Sequence, residues 1–92
     1  MENQFKKTFS IGDAAKMSGA SQKQIRNWES RGHIPEAARV VAGERAYRRF
    51  TVDQVQLITR IRNYLDQGFT LSAASEKAHL DLNQEKPHNE DE

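Results

Sequence analysis

The chain contains no cysteine, and this absence excludes several classes of site. Without thiols there is no disulfide framework, no thiolate zinc site and no cysteine-based catalysis or redox sensing. Hydrophobic residues make up 36% of the sequence, and no apolar run approaches the ~20 residues that a membrane-spanning helix needs. The N-terminus lacks the apolar stretch that a secretory signal requires. We therefore expect a soluble cytoplasmic protein with no membrane partner.

Motifs for catalysis and for metal or phosphate binding are also missing. The three histidines, His33, His79 and His88, form neither an H-x-x-x-H nor an H-E-x-x-H pair. The segment around Gly43 lacks the Gly-Lys-Ser/Thr ending of a phosphate-binding loop, and no nucleophile motif surrounds the serines. We therefore expect a protein without enzymatic activity that takes neither a metal nor a cofactor.

The net charge of +1 is the sum of two unlike parts of the 92-residue chain. Residues 1–80 hold 13 Lys/Arg and 8 Asp/Glu, a net charge of +5, whereas residues 81–92 carry a net charge of −4. Such an asymmetry favours a nucleic-acid partner, although an ordinary solvated surface accounts for the charges equally well. We expect a flexible lead-in over 1–8, one folded domain over 9–80, and an acidic disordered tail over 81–92.

Two short helices joined by a tight turn are predicted in the first third of the chain. The first begins after Ser10, which an acid follows three residues later, and ends at Gly19. The second begins with a capping box from Ser21 to Gln24 and ends at Gly32. This pattern is the outline of a helix-turn-helix.

The second helix combines a buried stripe, Ile25 and Trp28, with a polar outer face. Gln and Asn can pair with adenine, and Arg and Lys with guanine, so this face suits the major groove of DNA. The alternative is a polar face that only solvates the fold. Trp28 itself is interpreted as a core anchor rather than a base-stacking platform. The candidate recognition-helix residues are Ser21, Gln22, Lys23, Gln24, Arg26 and Asn27.

A hairpin is predicted around Gly43-Glu44, since residues 36–50 show no helical period. Its second strand, residues 45–50, contains three arginines and two aromatics, which suits the DNA backbone and minor groove. The alternative is a solvated turn with Tyr47 packed on the domain, and Phe50 is expected in the core. The candidate wing residues are Arg45, Tyr47, Arg48 and Arg49.

A second capping box, Thr51 to Gln54, begins the longest predicted helix, which ends at Gly68. Arg62 lies off the apolar stripe of this helix and is a candidate phosphate contact, with pairing to Asp66 as the alternative. The stripe consists of Val52, Val55, Ile58, Ile61 and Leu65. A last helix is predicted from Leu71 to about His79, with Leu71, Ala74 and Ala78 facing inward.

Five stretches, in this order, resemble the N-terminal DNA-binding domain of the MerR family of bacterial transcription regulators. They are Phe9-Ser10-Ile11-Gly12-Asp13-Ala14-Ala15-Lys16, Gln24-Ile25-Arg26-Asn27-Trp28-Glu29, Gly32-His33-Ile34-Pro35, Ala46-Tyr47-Arg48-Arg49-Phe50-Thr51 and Gly68-Phe69-Thr70-Leu71. The resemblance implies a mainly α winged helix-turn-helix, with a small two-stranded wing followed by a helix pair that also touches the DNA backbone. It also implies recognition-helix contacts from Arg26 and Asn27 and wing contacts from Tyr47 and Arg48.

The family resemblance further implies a function. Its members typically bind palindromic promoter DNA as dimers, and many underwind or bend the DNA to realign promoter elements for RNA polymerase. The expectation is a sequence-specific, double-stranded-DNA-binding transcriptional regulator that is cytoplasmic and nucleoid-associated. The sequence leaves open a homodimer, a cooperative assembly on DNA and a chain that does not dimerise.

Three departures from the family pattern qualify this expectation. Asn27 stands where the family usually has an aromatic residue, and the stretch from Pro35 to Tyr47 is longer than usual. After Leu80 the sequence lacks the apolar heptads of the long dimerisation helix, so the chain resembles a truncated member without an effector domain. Because metal-sensing members use cysteines, metal sensing is not carried over.

The sequence is also compatible with two other functions. The first is a DNA-binding factor for excision, partition or nucleoid architecture, which would coat or bend DNA at tandem sites. The second is a protein-interaction module that uses the same fold without binding DNA.

Overall fold

The computed structural model describes residues 7–85, a domain with four helices and one small antiparallel sheet in this part of the chain. In chain order the elements are β1 (Thr8–Phe9), α1 (Ile11–Ser18), α2 (Gln22–Ser30), β2 (Ala38–Ala42), β3 (Arg45–Thr51), α3 (Val52–Asp66) and α4 (Leu71–Glu85). This is the predicted winged helix-turn-helix followed by a helix pair.

Both predicted capping boxes are present and fix where helices α2 and α3 begin. At α2, Ser21 Oγ accepts a hydrogen bond from the Gln24 amide at 3.0 Å, and Gln24 Oε1 accepts one from the Ser21 amide at 3.0 Å. Thr51 and Gln54 form the same reciprocal pair at α3. Each box satisfies two amides that the helix start would otherwise leave without partners.

The turn between α1 and α2 is formed by short-range contacts. Gly19 has a φ of 85°, a left-handed conformation that favours glycine, and its amide donates to the Ala15 carbonyl at 3.0 Å. Ser18 Oγ then accepts a hydrogen bond from the Ala20 amide at 3.2 Å. The chain therefore reverses between the two helices within three residues, as the sequence predicts.

The sheet has three strands in the order β1-β3-β2, one more than the predicted two-stranded wing. Strands β2 and β3 form the predicted hairpin around Gly43-Glu44. The additional strand is β1, in which Thr8 pairs with Thr51 and Phe9 with Phe50. A two-residue strand is too short to show an alternating pattern, and pairing with β3 places Thr8 in the sheet rather than in the predicted flexible lead-in. Residues 1–6 of that lead-in lie outside the described residues.

The core lies between the helix-turn-helix, α3 and α4, with the hairpin extending beyond it. Ile25 and Trp28 from α2 and Phe50 from β3 are fully buried or nearly so, which confirms their predicted roles. Ile34, in the segment that leaves α2, is also buried. These contacts fix the orientation of α2 and the base of the hairpin on the same core.

The predicted apolar stripe of α3 is wrong at one end. Val52 is 45% exposed, because it is the first residue of the helix and precedes the turns that meet the core. Leu57, which was not predicted to face inward, is only 4% exposed. Helix α3 packs against both α1 and α4, so its buried face is wider than one stripe. Val55, Ile58 and Ile61 are buried, as predicted.

Helix α4 extends to Glu85, well beyond its predicted end near His79. Asp81, which the sequence places in the disordered tail, contacts two residues of α3. Its carboxylate accepts a hydrogen bond from the Tyr64 hydroxyl and forms an ion pair with Arg60 Nη1 at 3.3 Å. Leu82 packs against the core. The prediction of disorder is therefore wrong for residues 81–85, because contacts with α3 stabilise a polar segment. Residues 86–92 lie outside the described part of the chain.

Ile58 is buried and Val52 is exposed, so truncation of the two side chains should affect the free energy of unfolding differently. Ile58→Ala should lower the free energy of unfolding by about 2–5 kcal/mol, because it leaves a cavity in the core. Val52→Ala, in the exposed first turn, should change it by less than about 0.5 kcal/mol. Urea denaturation followed by circular dichroism measures both, and equal losses would contradict this assignment of the core.

Candidate nucleic-acid interface

Helix α2 exposes most of the predicted recognition residues. They are Ser21, Gln22, Lys23, Arg26 and Asn27. Gln24 is half-buried, and its side-chain oxygen is used by the capping box. The exposed residues lie opposite Ile25 and Trp28, so burial of those two side chains turns the polar face of α2 to the outside. The structure thus brings five of the six candidates together on one open face.

The hairpin divides the predicted wing residues between its two faces. Partners across antiparallel strands share a face, and successive residues alternate. Tyr47 pairs with Val40, and Arg45 pairs with Ala42. Because side chains alternate along a strand, Arg45, Tyr47 and Arg49 share one face of the hairpin. Arg48 lies on the other face, opposite its partner Arg39. The sequence pattern had grouped all four wing residues without this division.

Two of the wing residues on the first face differ in their surroundings. Tyr47 is 48% exposed, so its side chain is not packed into the domain as the alternative interpretation requires. Arg49 is half-buried, and its guanidinium donates to Thr8 Oγ1 at 3.1 Å and to the Thr8 carbonyl at 3.0 Å. Arg49 therefore links β1 to β3, and a DNA contact from it stays a prediction.

Arg62 on α3 is held by a neighbouring acid. Its Nε donates to Asp66 Oδ1 at 3.1 Å, one helical turn away, which is the pairing predicted as the alternative to a phosphate contact. Arg62 also lies close to the helix-turn-helix, because its Cγ is 3.7 Å from the position that a Cβ on Gly19 would occupy. A phosphate contact from Arg62 stays a prediction.

Glu29, which the sequence did not mark as functional, joins α2 to the hairpin. Only 6% of its side chain is exposed. Glu29 Oε2 accepts hydrogen bonds from the Ala37 amide at 2.6 Å and from Arg39 Nη1 at 3.2 Å, while Oε1 accepts one from Arg48 Nε at 2.9 Å. Its partners lie 8 to 19 residues further along the chain, so no local pattern could have identified this cluster.

The surroundings of Glu29 favour its ionised form. Burial raises the pKa of the carboxyl group, but the hydrogen bonds from Ala37, Arg48 and Arg39, together with the charge of Arg39, outweigh burial. The net result is a pKa below the usual value of 4.5. Glu29 therefore carries a full negative charge at neutral pH, between two arginines.

A polar cavity of about 360 Å³ opens at this cluster. Its lining residues are Arg26, Glu29, Ser30, Glu36, Arg39 and Arg48. Arg26 belongs to the exposed face of α2, and Arg48 to the hairpin face that also carries Arg39. The cavity therefore marks the place where the predicted recognition helix and the predicted wing meet.

Within 7–85, no three histidine, cysteine, aspartate or glutamate side chains come together as metal ligands would. None of the helices in the same range has the length and hydrophobicity needed to cross a membrane.

Known proteins resemble this chain over most of its length. The sequence model of the family described as "MerR HTH family regulatory protein" matches residues 9–80. A "Probable heavy metal-dependent transcriptional regulator" of Haemophilus influenzae is 39% identical over 61 residues, which are 66% of this chain and 45% of that protein. "HTH-type transcriptional regulator HmrR" of Sinorhizobium medicae is 38% identical over 66 residues, 72% of this chain and 43% of that protein. The matches thus cover a little under half of each relative.

A solved structure shares the fold. It is the crystal structure of HiNmlR, described as a MerR family regulator lacking the sensor domain, bound to promoter DNA. The TM-score is 0.65, and the match covers 83% of this chain and 55% of that chain. At 24% sequence identity, this likeness concerns the arrangement of helices and strands.

The low pKa of Glu29 predicts how stability depends on pH. Because the pKa is lower in the folded chain than in the unfolded chain, the carboxylate stabilises the fold above the unfolded pKa, and this contribution is lost as pH falls through the folded value. Urea unfolding of the wild type and of Glu29→Gln should therefore differ most near neutral pH and converge at acidic pH.

Glu44→Gln is the matched control, because Glu44 lies in the exposed hairpin turn. That variant should follow the wild-type profile closely. A gap between the wild type and Glu29→Gln that stays constant over the whole pH range would contradict the assigned role of the carboxylate.

Proposed function

The chain belongs to the MerR family of helix-turn-helix regulatory proteins, and from this premise we propose that it is a sequence-specific, double-stranded-DNA-binding transcriptional regulator. The observation that carries the proposal is the meeting of two surfaces at one cavity. The exposed polar face of α2 supplies Arg26, and the basic hairpin supplies Arg39 and Arg48. Such a juxtaposition suits DNA, in which base edges and charged backbone lie side by side.

The proposed binding mode follows from the position of each element. Helix α2 enters the major groove with its N-terminal half, where Gln22, Lys23, Arg26 and Asn27 read base edges. Ser21 and the helix N-terminus receive a backbone phosphate. The hairpin lies along the backbone and the adjacent minor groove, where Arg45 and Tyr47 make contacts.

Affinity comes largely from phosphate contacts in this proposal, and it is therefore sensitive to salt. The contributing cations are Lys23, Arg45, Arg48 and Arg62. Arg62 pairs with Asp66, and 59% of the Asp66 side chain is exposed to solvent. Exposed ion pairs of this kind contribute little free energy, so exchange of Asp66 for a phosphate costs little.

The wider role is part of the same proposal. In this proposal the protein has no catalytic activity and takes no cofactor. It acts in the cytoplasm in association with the nucleoid. It binds DNA as a homodimer or as a cooperative assembly, and the bound protein influences RNA polymerase. One relative is named as heavy metal-dependent, but this chain has no cysteine and matches only 45% of that relative. Metal sensing is therefore not transferred to this chain.

Selection of bound sites from random duplex DNA tests the proposal directly, with stoichiometry measured by analytical ultracentrifugation. A regulator should recover one discrete site, and two half-sites related by a dyad would indicate a dimer. Footprints that lengthen in register as protein is added would instead favour a factor for excision, partition or nucleoid architecture. Failure to bind any duplex at low salt would contradict DNA binding and favour a protein-interaction module.

Base reading by Arg26 generates a quantitative prediction. Arg26→Ala should weaken binding to the selected site by about 1–3 kcal/mol, and it should reduce the preference for that site over a shuffled duplex of the same length. Fluorescence anisotropy measures both affinities.

Arg31→Ala is the charge-matched control for this experiment. Arg31 is exposed at the C-terminal end of α2, whereas recognition helices contact bases through their N-terminal residues. Its loss should leave the preference between the two duplexes intact. Equal loss of preference in both variants would contradict base reading by Arg26.

A further inference from the structure

Glu29 is an unexpected residue at a surface proposed to meet a polyanion. Its negative charge lies in the cavity where α2 and the hairpin meet, and by charge alone it would repel a DNA phosphate. A nearly buried carboxylate is also costly unless it is well hydrogen-bonded. Its position therefore calls for a compensating role.

We propose that Glu29 is a positioning residue that holds Arg39 and Arg48 together as a clamp for one strand of the DNA backbone. Arg39 thereby becomes a further phosphate contact that neither the sequence pattern nor the family resemblance indicated. The inference rests on the proposed DNA-binding function and concerns the same surface.

The first argument is the geometry of the two arginines. Arg39 and Arg48 are direct partners across β2 and β3, so their side chains leave the same face of the hairpin. Like charges placed directly opposite each other repel and would separate the two guanidinium groups. Glu29 offsets this repulsion, because Oε2 binds Arg39 and Oε1 binds Arg48.

The second argument is the hydrogen-bonding capacity of the clamp. A guanidinium carries five N–H donors, and Glu29 engages Arg48 through Nε and Arg39 through Nη1. The side chains remain 27% exposed for Arg48 and 36% exposed for Arg39. Each guanidinium group can therefore donate further hydrogen bonds to a phosphate while the carboxylate still orients it.

The third argument is the path of the DNA backbone. When α2 occupies the major groove and the hairpin reaches the adjacent minor groove, the sugar-phosphate strand between these grooves must pass between the two elements. The cavity at that place is lined by Arg26 from the helix and by Arg39 and Arg48 from the hairpin. Three cations from two elements thus border the expected path of the strand.

The two possible roles of Glu29 predict opposite signs for the same substitution. If Glu29 acts only through its charge, Glu29→Gln removes repulsion and tightens DNA binding. If Glu29 positions the clamp, the amide keeps the size of the side chain but loses the ion pairs, and DNA binding weakens. Glu36→Gln is the matched control, because Glu36 is an exposed carboxylate that lines the same cavity.

The test measures the affinity of wild type, Glu29→Gln and Glu36→Gln for a duplex selected with the wild-type chain, over a series of salt concentrations. We expect Glu29→Gln to weaken binding by about fivefold or more and to lower the salt slope by about one phosphate contact. Glu36→Gln should leave affinity unchanged or raise it. Equal tightening, or equal weakening, in the two variants would overturn the proposal.

A double-mutant cycle separates positioning from loss of stability. Thermal unfolding identifies the temperature range in which every variant is folded, and binding is compared only there. Arg39→Ala should weaken binding in the wild type and have much less effect in the Glu29→Gln background, because the clamp is already lost. An equal effect in both backgrounds overturns the positioning role.

Binding by the wild-type chain separates failure of the proposed function from failure of the positioning role. If the wild-type chain binds no duplex DNA, the proposed function fails. If the wild type binds its selected site and the cycle is additive, only the positioning role of Glu29 fails.

Discussion

The carboxylate of Glu29 connects the two elements on which the proposed binding surface depends. It accepts hydrogen bonds from the Ala37 amide and from Arg39 and Arg48, so the end of α2, the start of the hairpin and both hairpin strands meet at one side chain. The core fixes α2 through Ile25 and Trp28 and the base of β3 through Phe50, but β2 is exposed along its whole length. Without the Glu29 contacts, the exposed part of the hairpin would lack this link to α2.

The parts of the fold that could be predicted are those encoded by neighbouring residues. Capping boxes at Ser21 and Thr51 and the glycine at 19 act within four residues, so their outcome is visible in the sequence. The hairpin turn at Gly43-Glu44 is equally local. For this reason the order of the four helices and the two hairpin strands could be predicted, and so could five of the six residues on the exposed face of α2.

The errors arise where distant segments decide the result. Leu57 is buried on α3, which packs against both α1 and α4, and the last turns of α4 are tied to α3 by Asp81, which contacts Tyr64 and Arg60. The third strand depends on β1 returning to β3. At the candidate site, the separation of Arg48 from Tyr47 follows from strand alternation, which the sequence contains. The role of Glu29 required the folded hairpin.

In the proposed binding mode, α2 and the hairpin contact one DNA duplex together. Titration of the isotopically labelled chain with its selected duplex, followed by amide and arginine side-chain NMR, measures both contacts at once. We expect the largest shift changes at residues 21–27 and 45–48 and at the side chains of Arg26, Arg39 and Arg48. Changes confined to the outer face of α4, with α2 and the hairpin unaffected, would contradict this binding mode.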